Sequence, residues 1–95
     1  MTKLRIDCLP VGAGWSCGVT VGDDVGATHH QVSVSGGTLA KLAPEASEPT
    51  RLVEASFAFL LEREPRESIV RSFDLPLIGR YFPEYPDEIV RRLAQ

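Results

Sequence analysis

Lys3-Leu4-Arg5-Ile6-Asp7-Cys8-Leu9-Pro10-Val11-Gly12-Ala13-Gly14-Trp15-Ser16-Cys17-Gly18-Val19-Thr20-Val21 is the run whose reading decides the fold. Leu4, Ile6 and Cys8 alternate with Lys3, Arg5 and Asp7, and Trp15, Cys17, Val19 and Val21 alternate with Ser16, Gly18 and Thr20. Successive side chains leave a strand on opposite sides, so each run carries one apolar face and one polar face. The spacing predicts strands over 3–9 and 15–21, with Gly12 and Gly14 supplying permissive backbone for the turn. Directly opposed residues of an antiparallel pair have numbers of constant sum. Pairing Leu4 with Val21, Ile6 with Val19 and Cys8 with Cys17 meets that condition and sets all six on one face.

Asp23, Asp24 and Gly26 mark a turn over 22–27, after which His30, Val32 and Val34 alternate with Gln31, Ser33 and Ser35. A third strand is expected over 28–35, able to join the second with Val32 near Val19, in a register that the pattern does not fix. Gly36 and Gly37 end it, and Thr38 is in place to cap a short helix over 39–42.

Beyond residue 44 the pattern turns helical. Ser47 or Glu48 is positioned to cap a helix with Pro49 in its first turn, where a missing N–H costs nothing. In it Arg51, Glu54, Ala58 and Glu62 share one narrow arc, while Leu52, Val53, Phe57, Phe59, Leu60 and Leu61 fill the rest. A helix that apolar must be enclosed by its own domain or by a partner chain. Pro65 biases Glu64 away from helical angles, so the helix is expected to stop at 63 or 64. A second short helix is expected over 68–73 with Ile69, Val70 and Phe73 on one side. A third over 75–82 would be capped by Asp74, with Leu77, Ile78 and Tyr81 inward. A fourth begins at Tyr85 and Pro86 and buries Ile89, Val90 and Leu93; its Asp87 and Glu88 at the start and Arg91 and Arg92 near the end suit the helix dipole.

At 95 residues the chain is one domain, 1–95, with a sheet over 3–35 and a helical part over 48–94. It is 43% hydrophobic and 24% charged, a globular composition. The net charge of -3, from ten basic and thirteen acidic residues, offers no cationic field for a polyanion, so nucleic acid is a disfavoured partner. No run reaches the roughly 20 apolar residues that span a bilayer, and no leader pattern opens the chain. The expectation is therefore a cytoplasmic protein with no membrane association.

Cys8 and Cys17 face each other in the predicted hairpin, which makes a disulfide geometrically conceivable. In a reducing compartment two buried thiols acting as small hydrophobes are the expected state. His29 and His30 leave opposite faces of a strand and do not close on one ion, and Asp23 and Asp24 lack the later ligands of a calcium loop. The glycine pairs match neither a P-loop nor a dinucleotide fingerprint. No catalytic residue, metal or cofactor is expected. A distant enzymatic reading would rest on Cys17 or His30.

Ser56-Phe57-Ala58-Phe59-Leu60-Leu61-Glu62-Arg63-Glu64-Pro65, followed by Ser68-Ile69, Phe73-Asp74-Leu75 and Tyr81-Phe82-Pro83-Glu84-Tyr85, resembles a family of small bacterial proteins. The resemblance covers the C-terminal half, with a looser match at 30–34. It implies a bacterial cytoplasmic origin and a recurrent unit of sheet plus helices, and it carries over no activity, cofactor or site residue.

These readings converge on a small α+β domain: a three-stranded antiparallel meander, then one long and several short helices packed on one sheet face. The expected function is a non-enzymatic interaction module whose partner is another protein or a second copy, using Phe59, Tyr81, Phe82 and Tyr85 or an open first or third strand. The alternative is a small DNA-binding regulator using helices over 68–82, with Arg66, Arg71 and Arg80 as contacts beside Arg63.

Overall fold

The fold is taken from a computed structural model that describes residues 3–94. Three long strands, β1 (Leu4–Val11), β2 (Gly14–Val21) and β3 (Thr28–Ser35), form the expected meander. Helices α1 (Gly36–Leu42) and α2 (Thr50–Leu61) follow, then a single 3-10 turn at Arg66–Ser68 and a short strand β4 (Ser72–Asp74). Helices α3 (Leu77–Tyr81) and α4 (Tyr85–Leu93) complete the chain. The sheet order is β1-β2-β3-β4, with β4 parallel to β3. The architecture is α+β with a mixed four-stranded sheet and four helices, one strand more than the meander.

The β1–β2 register is Leu4 opposite Val21, Ile6 opposite Val19 and Cys8 opposite Cys17, a constant sum carried from Leu4–Val21 to Val11–Gly14. Val32 stands opposite Cys17, and His30 opposite Val19. The expected neighbourhood of Val32 and Val19 is thus displaced by one pair of residues, because alternation fixes which face a residue takes and leaves even-numbered slips free.

The segment 68–73 is not a helix. Ile69, Val70 and Phe73 have a helix-like spacing, but Pro65 holds the entry extended (φ -69°, ψ 157°) and the chain joins the edge of β3. The Gln31 N–H donates to the Arg71 carbonyl at 2.7 Å, and the Leu75 N–H to the Ser33 carbonyl at 3.0 Å. Asp74 consequently caps nothing: its carboxylate accepts from the Ser33 hydroxyl across the β3–β4 seam, and α3 starts later, after Pro76. The cap of α1 also differs from expectation. Ser35 accepts from the Thr38 N–H at 3.0 Å, so the helix opens with Gly36. Glu48 accepts from the Thr50 N–H at 3.1 Å in front of α2, which ends at Leu61, two residues earlier than Pro65 alone requires.

The core lies on one face of the sheet. Cys17, Val19, Val21, Val32 and Val34 point from the strands into Leu52, Val53, Phe57, Leu60, Leu75, Ile78, Tyr85 and Ile89. The helix α2 exposes Arg51 and Glu54, with exposed Glu62 just past its end, and buries Leu52, Val53, Ser56, Phe57, Phe59 and Leu60, so its nearly all-round apolar surface is enclosed by its own chain. The far face of the sheet carries exposed Arg5, Asp7, His29, Gln31, Ser33 and Ser35.

Ionic contacts and one buried hydroxyl pair join α2 to α4. Arg92 donates to Glu62 at 2.6 Å and to Glu88 at 3.1 Å, and its hydrogen bond holds the Glu62 carboxyl below the usual carboxylate range. In the core the Tyr85 hydroxyl lies 2.7 Å from Ser56 Oγ, which donates in turn to the Leu52 carbonyl at 2.7 Å. Burial pushes the Tyr85 phenol up to about 12.

Candidate functional site

The residues with textures of chemistry are mostly used up structurally. Cys8 and Cys17 form a disulfide with their Cα atoms 4.0 Å apart, in place of the two thiols expected. The physical reason is their position. The Lys3 carbonyl accepts from the Gly22 N–H at 2.7 Å, which fixes the phase of the ladder so that Cys8 and Cys17 occupy a non-hydrogen-bonded pair, where opposed residues come closest. Cys17 is fully buried and bonded, so it holds no nucleophilic thiol.

His29 and His30 do take opposite faces. His29 is exposed, with Nδ1 3.2 Å from Thr20 Oγ1. His30 is buried beside the Phe57 ring, centroids 5.4 Å apart. Its Nδ1 lies 2.9 Å from the Val70 carbonyl, an acceptor only, so Nδ1 carries a proton and donates. Nε2 lies 2.9 Å from the Thr28 hydroxyl. Both ring nitrogens are engaged, and the ring ties β3 to the turn that leads into β4. Among the described residues no group of three or more His, Cys, Asp or Glu side chains converges as metal ligands.

The aromatic residues expected at an interaction surface separate into two pairs. Phe59 and Tyr85 are buried, with ring centroids 5.3 Å apart, and the Arg63 guanidinium lies 3.5 Å over the Phe59 ring. Neither offers a face to a partner. Phe82 is half-buried edge-on to Phe59 at 5.9 Å, and Tyr81 is 66% exposed. The sequence distinguished them poorly because all four share one aromatic-rich segment, while the bend between α3 and α4 turns Tyr85 inward and leaves Tyr81 outside.

Tyr81 and Phe82 border a groove of about 450 Å³ with Leu60, Val70, Phe73 and Leu77 on its walls. Its construction follows from the chain's breaks. α2 stops at Leu61, Pro65 holds the chain extended beyond it, His30 holds the Val70 carbonyl, and β4 sets Phe73 at the sheet edge, so α2, β4 and α3 meet without closing. Val70 on its rim is 46% exposed. The lining is mainly apolar, with Glu64 and Ser68 as polar members. Nothing in it pairs a nucleophile with a base; what it offers is unpartnered apolar surface. Val70, expected on one side of a helix with Ile69 and Phe73, comes to this rim because 72–74 is a strand.

The three arginines of the DNA-binding alternative have separate surroundings. Arg66 pairs with Asp24 at 3.1 Å and Glu67 at 3.3 Å, with its guanidinium against Gly22 and Gly26 of the β2–β3 loop. Arg71 precedes β4 and Arg80 lies on α3; both are exposed. The helix pair over 68–82 on which that alternative stood is instead a strand followed by a five-residue helix. No described helix is long and apolar enough to cross a membrane. Compared with protein families, curated proteins and solved structures, the chain matches none.

Proposed function

We propose that this chain is a non-enzymatic protein-interaction module whose groove between α2, β4 and α3 receives apolar side chains of a partner protein. The observation that carries the reading is the rim: Tyr81 at 66% and Val70 at 46% exposure beside a cleft of about 450 Å³. Large side chains left in water around a concave apolar surface are a recurrent mark of recognition sites. A tyrosine is also a favourable anchor there, because it supplies contact area and a hydroxyl with little rotamer entropy to lose.

The resemblance of the C-terminal half to a family of small bacterial proteins carries over no site residue and adds nothing to this reading of the groove. A bacterial cytoplasmic setting is carried forward with it, opposed by one feature, the Cys8–Cys17 bridge, because disulfides persist mainly in oxidising compartments. The test is a pull-down from the source organism with the full chain and with Tyr81→Asp in parallel, followed by competition with free wild-type protein. A specific protein retained by the wild type, displaced by competitor and lost with Tyr81→Asp is the expected result. Identical bound sets for the two baits would overturn the proposal.

A further inference from the structure

We infer that the free edge of β1 pairs with β1 of a second copy, antiparallel about a two-fold axis at Ile6, joining two sheets into one. This surface is separate from the groove and goes beyond the function proposed for it. Because the Gly22 N–H bonds to the Lys3 carbonyl and the β1–β2 pairing is regular, Arg5, Asp7, Leu9 and Val11 direct their backbone groups toward β2. Leu4, Ile6, Cys8 and Pro10 therefore direct theirs outward, and among the described residues β1 has no strand on that side. Pro10 has no N–H to waste there, which suits an edge position. The result is an eight-residue edge with free N–H and C=O groups at Leu4, Ile6 and Cys8, far longer than the three-residue edge at β4.

Charge then selects the register. Arg5 and Asp7 are exposed on the open sheet face, and neither has an ion-pair partner among the described residues. A two-fold axis at Arg5 would oppose two arginines. One at Asp7 would oppose two aspartates and set Leu4 against Pro10, which cannot donate. An axis at Ile6 sets Arg5 against Asp7 of the second copy and Asp7 against its Arg5. The same register matches Ile6 with Ile6 and Leu4 with Cys8, so every outward N–H from Leu4 to Cys8 meets an outward carbonyl.

Packing agrees with this register. Leu4, Ile6 and Cys8 are only half-buried on the helical face, and each gains a neighbour from the second copy. On the open face Leu9, 69% exposed, comes to lie opposite Lys3, whose aliphatic stem can cover it. Self-complementarity of one patch is what a two-fold interface requires.

Sedimentation equilibrium of the full chain from low micromolar to several hundred micromolar tests the inference, with circular dichroism as a check on folding. The wild type is expected to approach twice its 10.4 kDa mass. Arg5→Asp and Asp7→Arg singly each place like charges at both symmetric contacts. At about tenfold per contact, each is expected to weaken association by about a hundredfold. The double variant Arg5→Asp/Asp7→Arg restores opposite charges and is expected to regain the wild-type dissociation constant. Ile6→Pro, which removes an outward N–H without touching the β1–β2 ladder, is expected to be monomeric. A wild type that stays at 10.4 kDa throughout would overturn the inference. So would a dimer indifferent to the charge reversals, including one abolished instead by Tyr81→Asp, which would assign the contact to the groove.

Discussion

Removing either partner of the buried Ser56–Tyr85 pair should have unequal effects, and the inequality follows from which atom donates. Ser56 Oγ lies 2.7 Å from the Leu52 carbonyl, which can only accept, so the serine proton is committed there. Tyr85 must therefore donate to Ser56 across their 2.7 Å contact. In Tyr85→Phe, Ser56 keeps its bond to Leu52 and a single neutral hydrogen bond is lost, which costs about 0.5–1.5 kcal/mol. In Ser56→Ala, the phenolic O–H of Tyr85, a residue 1% exposed, is left without an acceptor. That penalty is about 1–3 kcal/mol, reduced by a few tenths for the better helix propensity of alanine. The double variant has neither hydroxyl and leaves no orphan donor, so its cost should return close to that of Tyr85→Phe. Urea unfolding of the four proteins, with a common m-value as the check that all unfold alike, measures the cycle. The reasoning is refuted if Tyr85→Phe costs more than Ser56→Ala, or if the two effects add to within about 0.3 kcal/mol.

The same phenol makes stability depend on pH at the alkaline end. Its value is raised to about 12 in the folded chain, chiefly by burial, against an ordinary 10, so folding favours the protonated form. That contribution is complete below pH 10 and disappears as the pH rises from 10 to 12; unfolding free energies across this range should fall by about 3 kcal/mol more for the wild type than for Tyr85→Phe. Reducing the Cys8–Cys17 bridge releases a loop closed over nine positions, and chemical denaturation with and without a dithiol should differ by about 2–3 kcal/mol; no difference would mean the hairpin is closed as tightly by its ladder alone. Gly14→Ala should destabilise by about 1–3 kcal/mol, because a Cβ there runs into the Val34 carbonyl oxygen on the neighbouring strand. Gly37→Ala is the control: its nearest neighbour is the Ser35 hydroxyl at 3.9 Å, and in α1 alanine should be neutral or stabilising in thermal melts.

The parts of the fold legible in the sequence were those written in a repeating local code. Alternation over 3–21 fixed the hairpin and its register because both strands turn one apolar face to the core and their connection is short. The apolar density of 52–61 correctly implied an enclosed α2, and the charges flanking Ile89 marked both ends of α4. What escaped was set at long range. Ser72-Phe73-Asp74 is too short to display a period, and it becomes a strand only because β3 has a free side to receive it. The groove escaped for the same reason, since Val70 and Tyr81 reach its rim through the β4 assignment and the α3–α4 bend. The disulfide was visible as a juxtaposition, Cys8 facing Cys17, but compartment reasoning outweighed geometry, and the close approach of a non-hydrogen-bonded pair was the deciding fact.

The seam between β3 and β4 joins chain segments some forty residues apart through three residues of strand, the Ser33–Asp74 contact and the His30 clasp on Val70. Closing so distant a junction is slow, because the loop entropy is lost before the contacts return anything. The meander, with neighbours adjacent along the chain, can be complete while this junction is still open. Within the sheet, amide exchange should therefore be faster across the β3–β4 seam than in β2. The wall of the groove would then be the last part of the molecule to set and the first to loosen, which gives it room to reshape around an incoming side chain while the sheet beneath stays fixed.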